Sequence, residues 1–533
     1  MGLRSILYLA LCLQLISLIG QSKDFQEEVH VSVNSTNVLV GETLNFSGFV
    51  YSNTSKKLSP LSSVLYLELI DESGKAIHQT KIGLRNGCGS GSIYINPDWA
   101  TGTYRLISYT KWMMNYDAFH EQHLLIFNPY NGVKKNESIN GNPLKIEEQQ
   151  LTELDTYSPL QSVSLSLGII ETSTLSIAIH KVSDVYYDNQ VTLEHQKVSM
   201  SSYEILPDYR YAQVQGRVHG SNRLDKLRVM MTIKGTAMQV ATTQTDHYGR
   251  FWMSYNPDLL TNEAVAQVQV EGDGIEDINI IEEFYPSHAS LNESVTSLDS
   301  LTSSNLITRS INNQIQQAYK EPVTLDADLR AIYTQADAKV YYLDDYERFP
   351  SIRDTFIEYI YYVGVSKSEN NYKLNVLCPE PPELNASNKE PLILLDGLAI
   401  SAEDIFKQSP NDIEKIEVIP NYYFINDVVY KGVISVHSFG RKELEVTSTG
   451  KRFTLANYQP YKPHVDSLTL KDHLPMYQPS LFWEPIRKHS HGELILEFST
   501  SRLEGTYQIS VRGITVFGKP VNLVKYIRVC SSN

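Results

Sequence analysis

Short apolar runs bounded by Gly, Pro, Asn or Asp dominate this chain, a pattern that predicts strands. Val38 to Phe49 reads as two strands joined by a Gly41-Glu42 turn. Val64 to Ile70 is a third, ending in the hairpin signal Asp71-Glu72-Ser73-Gly74. Gly87 to Ile95 is a glycine-rich approach to another strand, and Asn96-Pro97-Asp98 turns the chain into the run Gly102 to Leu106. After a polar stretch from Asn131 to Asp155, strand-like runs return at Ser164 to Ile170 and Leu175 to Val182. Val214 to Val218, Val229 to Ile233 and Thr242 to Thr245 follow, and Asp246-His247-Tyr248-Gly249 turns into Arg250 to Met253. Leu481 to Pro485, Leu494 to Phe498 and Gly505 to Ile509 come last.

Helical spacing is rarer. Ile307, Ile311, Gln314, Ile315 and Ala318 fall on one face of an expected amphipathic helix from about Ser304 to Tyr319. Leu343-Asp344-Asp345-Tyr346 reads as a cap, with Asp345 the capping residue, before a helix from Ser351 to Ile360. The stretch from Pro391 to His437 mixes both periods. Leu392 to Leu395 is a buried strand and Asp396-Gly397 a turn; Ser401 and Asp404 form a capping box for a helix to about Gln408, which Pro410 stops. Asn411 and Glu414 repeat the cap, Lys415 to Ile419 alternates charged and apolar residues, and Gly432 opens the strand Val433 to Val436.

This last stretch resembles the plug domain of TonB-dependent outer-membrane receptors of the Bacteroidota type. The carriers are Pro391, Asp396-Gly397, Pro410-Asn411-Asp412-Ile413-Glu414, Ile416-Glu417-Val418 and Gly432-Val433-Ile434. Such a plug sits in a barrel of about 22 strands, for which the residues after Val436 leave no room, so a plug-like unit without its own pore is expected. The Gly-Glu turn, the Asp-x-x-Gly hairpin and the Gly-x-Tyr strand between Val40 and Thr110 resemble the second domain of the macroglobulin family. The Asp246-x-x-Gly249-x-Phe251 turn resembles the transthyretin-type, carboxypeptidase regulatory-like sandwich, and Leu481 to Ile509 resembles a late macroglobulin-family domain.

The fold these features imply is mainly β and multidomain: tandem β-sandwiches, macroglobulin-like and transthyretin-like, plus an α+β plug-like domain. The expected divisions are a signal peptide at 1–20, a macroglobulin-like sandwich at 27–130, a linker and second macroglobulin-like segment at 131–205, a regulatory-like sandwich at 206–275, a helical linker at 276–322, the plug-like domain at 323–440 and a C-terminal macroglobulin-like sandwich at 441–533.

Composition narrows the partners. Across 533 residues, 61 acidic side chains outnumber 46 basic ones and give a net charge of -15, which argues against nucleic acid, since a phosphate backbone needs a basic face. Arg4, the apolar core from Ile6 to Ile19 and the small Gly20 read as a secretory signal with cleavage near Gly20-Gln21. No later stretch reaches about 18 consecutive apolar residues, so no transmembrane helix is expected. Export to the periplasm, or to a position peripheral to the outer membrane, follows, with the cell surface as the alternative. Beyond Cys12 in the signal, Cys88, Cys378 and Cys530 lack any CxxC spacing. Small apolar fillers are the preferred reading, though one bridge is compatible with an oxidising compartment.

Candidate chemistry is sparse. A macroglobulin thioester needs Gly-Cys-Gly-Glu-Gln, whereas Gly87-Cys88-Gly89 is followed by Ser90-Gly91 and lacks the acyl-supplying Gln. His120 and His123 lie three apart in a strand-like run, where period two points them to opposite faces, and a surface edge is expected. His489-Ser490-His491 sits in a polar turn without a third ligand. Asp344, Asp345 and Asp396 invite a paired-carboxylate reading, but a cap and a turn account for them. No catalytic, cofactor-binding or metal-ligating residue is therefore assigned and no cofactor is expected. The expectation is a non-enzymatic envelope scaffold or binding protein, an accessory subunit of an outer-membrane assembly or transport complex whose partners are outer-membrane barrel proteins or other envelope proteins. A macroglobulin-like protease-binding protein without a thioester is the alternative. A hydrolase using Asp345, Asp396 and His437 is a third reading.

Overall fold

The computed structural model describes residues 25–116, 119–130, 154–169, 171–182, 205–235, 238–260, 264–272, 274–281, 283–286, 288–290, 300–319, 338–368, 371–379, 390–426, 428–440, 450–468, 470 and 475–531. The expected signal peptide and most of the polar stretch after Asn131 lie outside them. The protein is mainly β and multidomain, and it divides into two compact units. One comprises 1–210, 284–322 and 459–533, the other 211–283 and 323–458.

The first unit holds two sandwiches. In the first, Glu27–Val33, Thr43–Ser52 and Cys88–Tyr94 form one antiparallel sheet with Thr43–Ser52 in the middle. Five of the six strands of the opposing sheet run in the order Asn37–Leu39, His120–Phe127, Gly102–Tyr109, Val64–Ile70, Ala76–Gly83. Its first pair is parallel and the rest antiparallel. Leu65 points between the sheets and fits only because position 48 is glycine: a Cβ there would lie 2.4 Å from a Leu65 methyl. Val64–Ile70 and Gly102–Tyr109 are buried along their whole lengths. A strand of a two-layer sandwich normally alternates, so a continuous apolar run such as Val64–Ile70 signals a strand covered on both faces.

The second sandwich is assembled from separated parts of the chain. Ser173–Lys181 pairs on one side with Ser480–His489 and on the other with Gly505–Thr515. Ser162–Leu167 pairs with Leu494–Ser499, and Asp155–Tyr157 runs parallel to Pro520–Val529. Leu165, Ile177, Ile179, Leu496, Tyr507, Ile509 and Val511 share its core. This corrects the expected division: the strands between Asp155 and Lys181 and those between Ser480 and Val529 do not belong to two domains but make one sandwich. Period-two patterning marks each strand but carries no label for a partner far along the chain.

A helix, Ser300–Ala318, packs on the first sandwich through Leu306, which meets Leu39, Leu125 and Phe127. Arg309 grips Glu42 with Nε at 2.8 Å and Nη2 at 2.7 Å. The expected helix exists, but its expected apolar face is wrong. Ile307 and Ile311 are 49% and 52% exposed, while Leu306 and Ser310 are buried. An Arg–Glu fork and a buried serine outweigh the isoleucine stripe in choosing the docked face.

In the second unit, Arg250–Tyr255, Ala212–Gly220 and Ile275–Ile280 form one sheet of a sandwich. Gln239–Gln244, Arg228–Ile233, Ala264–Glu271 and Lys451–Leu455 form the other. Two expected boundaries move. Ile275–Ile280 is a strand, not helical linker, and Lys451–Leu455 belongs here rather than to the C-terminal sandwich. The remaining sheet runs Lys339–Tyr342, Ile413–Ile425, Val428–Ser438, Leu392–Leu395, Leu398–Ala399. Leu392 is parallel-paired with Val433 and Ile416 antiparallel-paired with Val436, so the three runs expected to form the plug-like core share one sheet. Ile352 and Phe356 of one helix, Ile352–Glu358, and Ile405 of another, Ala402–Phe406, bury Ile416, Val418, Ile434 and Val436 on one face.

Local signals in this sheet are partly as expected. Asp396 and Gly397 adopt φ of 50° and 90°, a turn conformation that glycine meets without strain, and a Cβ on Gly397 would lie 2.6 Å from the Ile233 carbonyl. Ser401 caps its helix, its side chain accepting from the Asp404 N–H at 3.1 Å. Asp345 is not a cap: it ends a 3-10 turn, Leu343–Asp345, and Ser351 caps the following helix. Asn411 is not a cap either; Ser409 caps the short turn Pro410–Asp412, and the strand starts at Ile413. In both places a serine hydroxyl, compact and free to rotate, takes the position expected of a longer polar side chain.

Candidate functional site

Among the described residues, a cluster of buried polar groups lies on the outer face of the first sandwich's larger sheet. Tyr66 and Glu68 alternate with the inward-facing Leu65, Leu67 and Leu69, so their side chains leave the sandwich on the opposite side. Both are 0% exposed. The Tyr109 hydroxyl donates to Glu68 Oε1 at 2.5 Å, Gln79 Nε2 donates to Oε2 at 2.8 Å, and His288 Nε2 lies 3.1 Å from Oε1. The Tyr66 hydroxyl donates to Asp208 at 2.9 Å, and Lys111 Nζ is 3.9 Å from the same carboxylate. Tyr66 and Tyr109 stack at 5.8 Å; Phe284 meets Tyr66 edge-on, and Phe119, packed on Tyr109, meets Tyr285 edge-on. Burial, then the Glu68 charge, raises the Tyr109 phenol well above its ordinary range.

The chain uses this cluster to fasten its own connections. Residues 205–210 lead out of the first unit and 284–290 lead back into it. Asp208 is fixed through its side chain and also accepts the Ser63 N–H at 2.6 Å through its carbonyl. Tyr285 donates its N–H to the Tyr109 hydroxyl at 2.7 Å.

A second buried carboxylate has only neutral donors. Glu27, 0% exposed, accepts from Ser59 Oγ and Ser62 Oγ at 2.6 Å each, from Thr110 Oγ1 at 2.8 Å and from the Ser62 N–H at 3.3 Å. Four donors on two oxygens satisfy a carboxylate without a cation. Neither Glu27 nor Glu68 was singled out from sequence. For Glu68 a signal existed, a lone carboxylate inside the apolar run Val64–Ile70; Asp208 and His288 carry none, because their burial is made by loops.

The residues weighed from sequence are scattered. Cys88 is buried and its thiol is pushed up to about 12 by burial, which removes thiolate character at neutral pH. Cys88, Cys378 and Cys530 are all free thiols. His120 and His123 do meet different partners, but the expected surface edge is corrected. His123 is 4% exposed and its Nε2 is 2.9 Å from Glu121, next to Arg105, whose guanidinium donates to the Ala289 carbonyl. His120 contacts His30 edge-on at 5.2 Å. The covering segment comes from the returning loop, which strand periodicity cannot foresee. His489 Nε2 lies 3.0 Å and 3.1 Å from the carbonyls of Gly492 and Ile169, so it pins a turn, while His491 is exposed. Asp344 pairs with Arg348, Asp345 is exposed, and Asp396 accepts from Ser438 N at 2.7 Å and Oγ at 2.6 Å.

His437 comes nearest to a reactive constellation. Ser435 Oγ is 3.1 Å and Glu417 Oε2 3.4 Å from its Nε2. A relay needs the nucleophile and the orienting carboxylate on opposite ring nitrogens. Here both meet the same nitrogen, so Ser435 is not activated. The group instead fixes Glu417, held down to about 2 by the hydrogen bond from His437 and then by Lys415. Among the described residues, no three His, Cys, Asp or Glu side chains converge as a metal site, and no helix is long and apolar enough to cross a membrane.

No family model matches the chain, and no curated protein does. Similar solved structures include alpha-2-macroglobulin of Salmonella reacted with methylamine, 7% identical over 95% of this chain and 39% of that one, with a TM-score of 0.24. Escherichia coli alpha-2-macroglobulin activated by porcine elastase is 8% identical over 95% of this chain and 44% of that one, with a TM-score of 0.25. Dimeric latent PorU of Porphyromonas gingivalis is 10% identical over 51% of this chain and 34% of that one, with a TM-score of 0.16. The chain spans less than half the length of either macroglobulin. At such identities and scores the likeness says nothing of function.

Proposed function

We propose that this chain is a non-enzymatic, exported binding or scaffold protein of the bacterial envelope, an accessory subunit of an outer-membrane assembly or transport complex. One observation carries the reading: buried carboxylates are spent on holding chain segments together. Glu68 and Asp208 fasten the connections, Glu27 closes a loop on a strand, and Glu42 docks a helix through Arg309. Chemistry would require such groups to converge on a space for substrate; these are saturated by intramolecular donors. Sandwiches in tandem instead provide rigid spacing and sheet edges for contact. The plug-like sheet, with its outer-membrane receptor resemblance, points to a barrel protein as partner. Affinity purification of the tagged chain from detergent-solubilised outer membrane tests this: a barrel protein in stoichiometric yield is expected, and a chain recovered alone and monomeric overturns it.

The second reading is a protease-binding protein without a thioester, favoured by the two sandwiches of the first unit. It requires that a protease cleaved into the chain stay attached, so release of active protease after limited digestion would exclude it.

A further inference from the structure

The two sandwiches of the first unit follow one strand plan. The larger sheet of the first runs Asn37–Leu39, His120–Phe127, Gly102–Tyr109, Val64–Ile70, Ala76–Gly83. That of the second runs Asp155–Tyr157, Pro520–Val529, Gly505–Thr515, Ser173–Lys181, Ser480–His489 in the same chain order, with the two-residue strand Asp466–Ser467 beyond Ser480–His489. In both, the short first strand is parallel to the last and the other pairs are antiparallel. The smaller sheets correspond too, Thr43–Ser52 with Cys88–Tyr94 matching Ser162–Leu167 with Leu494–Ser499.

Among the strands so matched, the plans differ at one place. In the first sandwich Glu27–Val33 lies antiparallel along the outer side of Thr43–Ser52, burying Val29, Val31 and Val33. Among the described residues, no strand occupies the equivalent side of Ser162–Leu167, and the second sandwich's smaller sheet has two strands where the first has three.

The open edge has a defined hydrogen-bonding face. The Thr500 N–H donates to the Gln161 carbonyl at 2.9 Å, so Gln161 turns its backbone groups toward the Leu494–Ser499 strand. Backbone direction alternates along a strand. Ser162, Ser164 and Ser166 therefore turn their N–H and C=O groups to the open side, while Val163, Leu165 and Leu167 send side chains into the core. Protected edges carry lysine, proline or a bulge. This one carries three serines and pairs in unbroken register with its single neighbour.

We infer that the Ser162–Leu167 edge is an acceptor site for an extended segment of a partner protein, added antiparallel, with aliphatic side chains at alternate positions. The chemistry of the occupant is read from the chain's own Glu27–Val33, whose three valines fill the same place in the sister sandwich. Main-chain hydrogen bonds to the three serines supply affinity, and the alternate aliphatic residues, packing beside Val163, Leu165 and Leu167, supply register. This deepens the binding-protein reading and rests on it.

The probe is a fluorescein-labelled synthetic peptide with the sequence of residues 26–34, added to the full chain. Binding is expected to raise fluorescence anisotropy and to slow hydrogen exchange at the amides of Ser162, Ser164 and Ser166 by about tenfold or more. A peptide with serines in place of the three valines should not bind. Ser164→Pro should abolish binding yet leave unfolding unchanged, because its N–H faces the open side, where proline is tolerated. Three results overturn the inference: no peptide binding at about 1 mM, equal binding to the Ser164→Pro chain, or amides of Ser162, Ser164 and Ser166 already protected without peptide. The last would mean that residues of this chain or a second copy already fill the edge. Retained co-purification with a barrel protein alongside any of these sinks the edge alone and leaves the broader reading standing.

Discussion

The Tyr109 hydroxyl donates to the Glu68 carboxylate at 2.5 Å and, through the same oxygen, accepts the N–H of Tyr285 at 2.7 Å. One atom thus ties a buried charge in the sheet to the loop that brings the chain back onto it. Tyr109→Phe removes both bonds without changing shape. A destabilisation of about 1–3 kcal/mol is expected, from a buried acceptor and a buried donor left short of a partner. Urea denaturation followed by hydrogen exchange at 63–70 and 284–286 checks it. Unchanged exchange in both segments would show that the bond carries no weight.

Glu27 predicts a graded series. Glu27→Gln keeps volume and lets the three hydroxyls rotate from donors to acceptors where needed, so about 1 kcal/mol is expected to be lost. Glu27→Ala strands all of them and opens a void, with about 2–4 kcal/mol lost. Equal effects from the two substitutions, read from the denaturation midpoint, would contradict the assigned network.

Acid should weaken the first unit through histidine. Burial, then Arg512, lowers His30 to about 4; burial, then His30 and Arg512, lowers His120 to about 3; burial, then Arg309, lowers His180 to about 3. The unfolded chain binds these protons near pH 6.5 and the folded one does not. Their stabilising contribution is therefore complete above pH 6.5 and declines as pH falls toward 4, by on the order of 3 kcal/mol for each. Denaturation at pH 7, 5.5 and 4.5, in steps of roughly one proton-binding interval, should show the decline, and His180→Gln should flatten it. A slope unaltered in that variant would count against the mechanism.

Helix docking rests on Arg309. Arg309→Met keeps the aliphatic stem and removes the fork to Glu42, leaving that carboxylate with the Leu39 N–H at 2.9 Å. Loss of one partner of a partly buried pair is expected to cost about 2–4 kcal/mol, and exchange across 300–318 should accelerate accordingly. Ile311→Ser, on the exposed face, should leave exchange unchanged. The opposite ranking would restore the isoleucine stripe as the docked face.

Sequence alone reached the local features because they are decided by neighbours along the chain. Asp396-Gly397 accepts the positive φ that its turn asks for, Ser401 satisfies the N–H three residues on, and the short apolar run of Val64–Ile70 favours a buried strand. The site was legible only in hints. Glu68 stands out inside its apolar run, but Asp208 and His288 become its neighbours through loops whose composition is ordinary. The helix face was misjudged because hydrophobic spacing counts Ile307 and Ile311 and cannot count an Arg309–Glu42 fork made across the fold.

What the amino-acid order determined by itself was therefore the β-rich, multidomain character, the positions of most strands and turns, and the lack of a thioester motif. Tertiary structure decided which strands complete the second sandwich, pairing Ser173–Lys181 with Ser480–His489 and Gly505–Thr515, and which faces are covered. The physical reason is that a strand's backbone offers the same N–H and C=O row to every candidate neighbour. Partners are chosen by the burial and hydrogen bonding of the assembled layers, a free energy that exists only once distant segments meet.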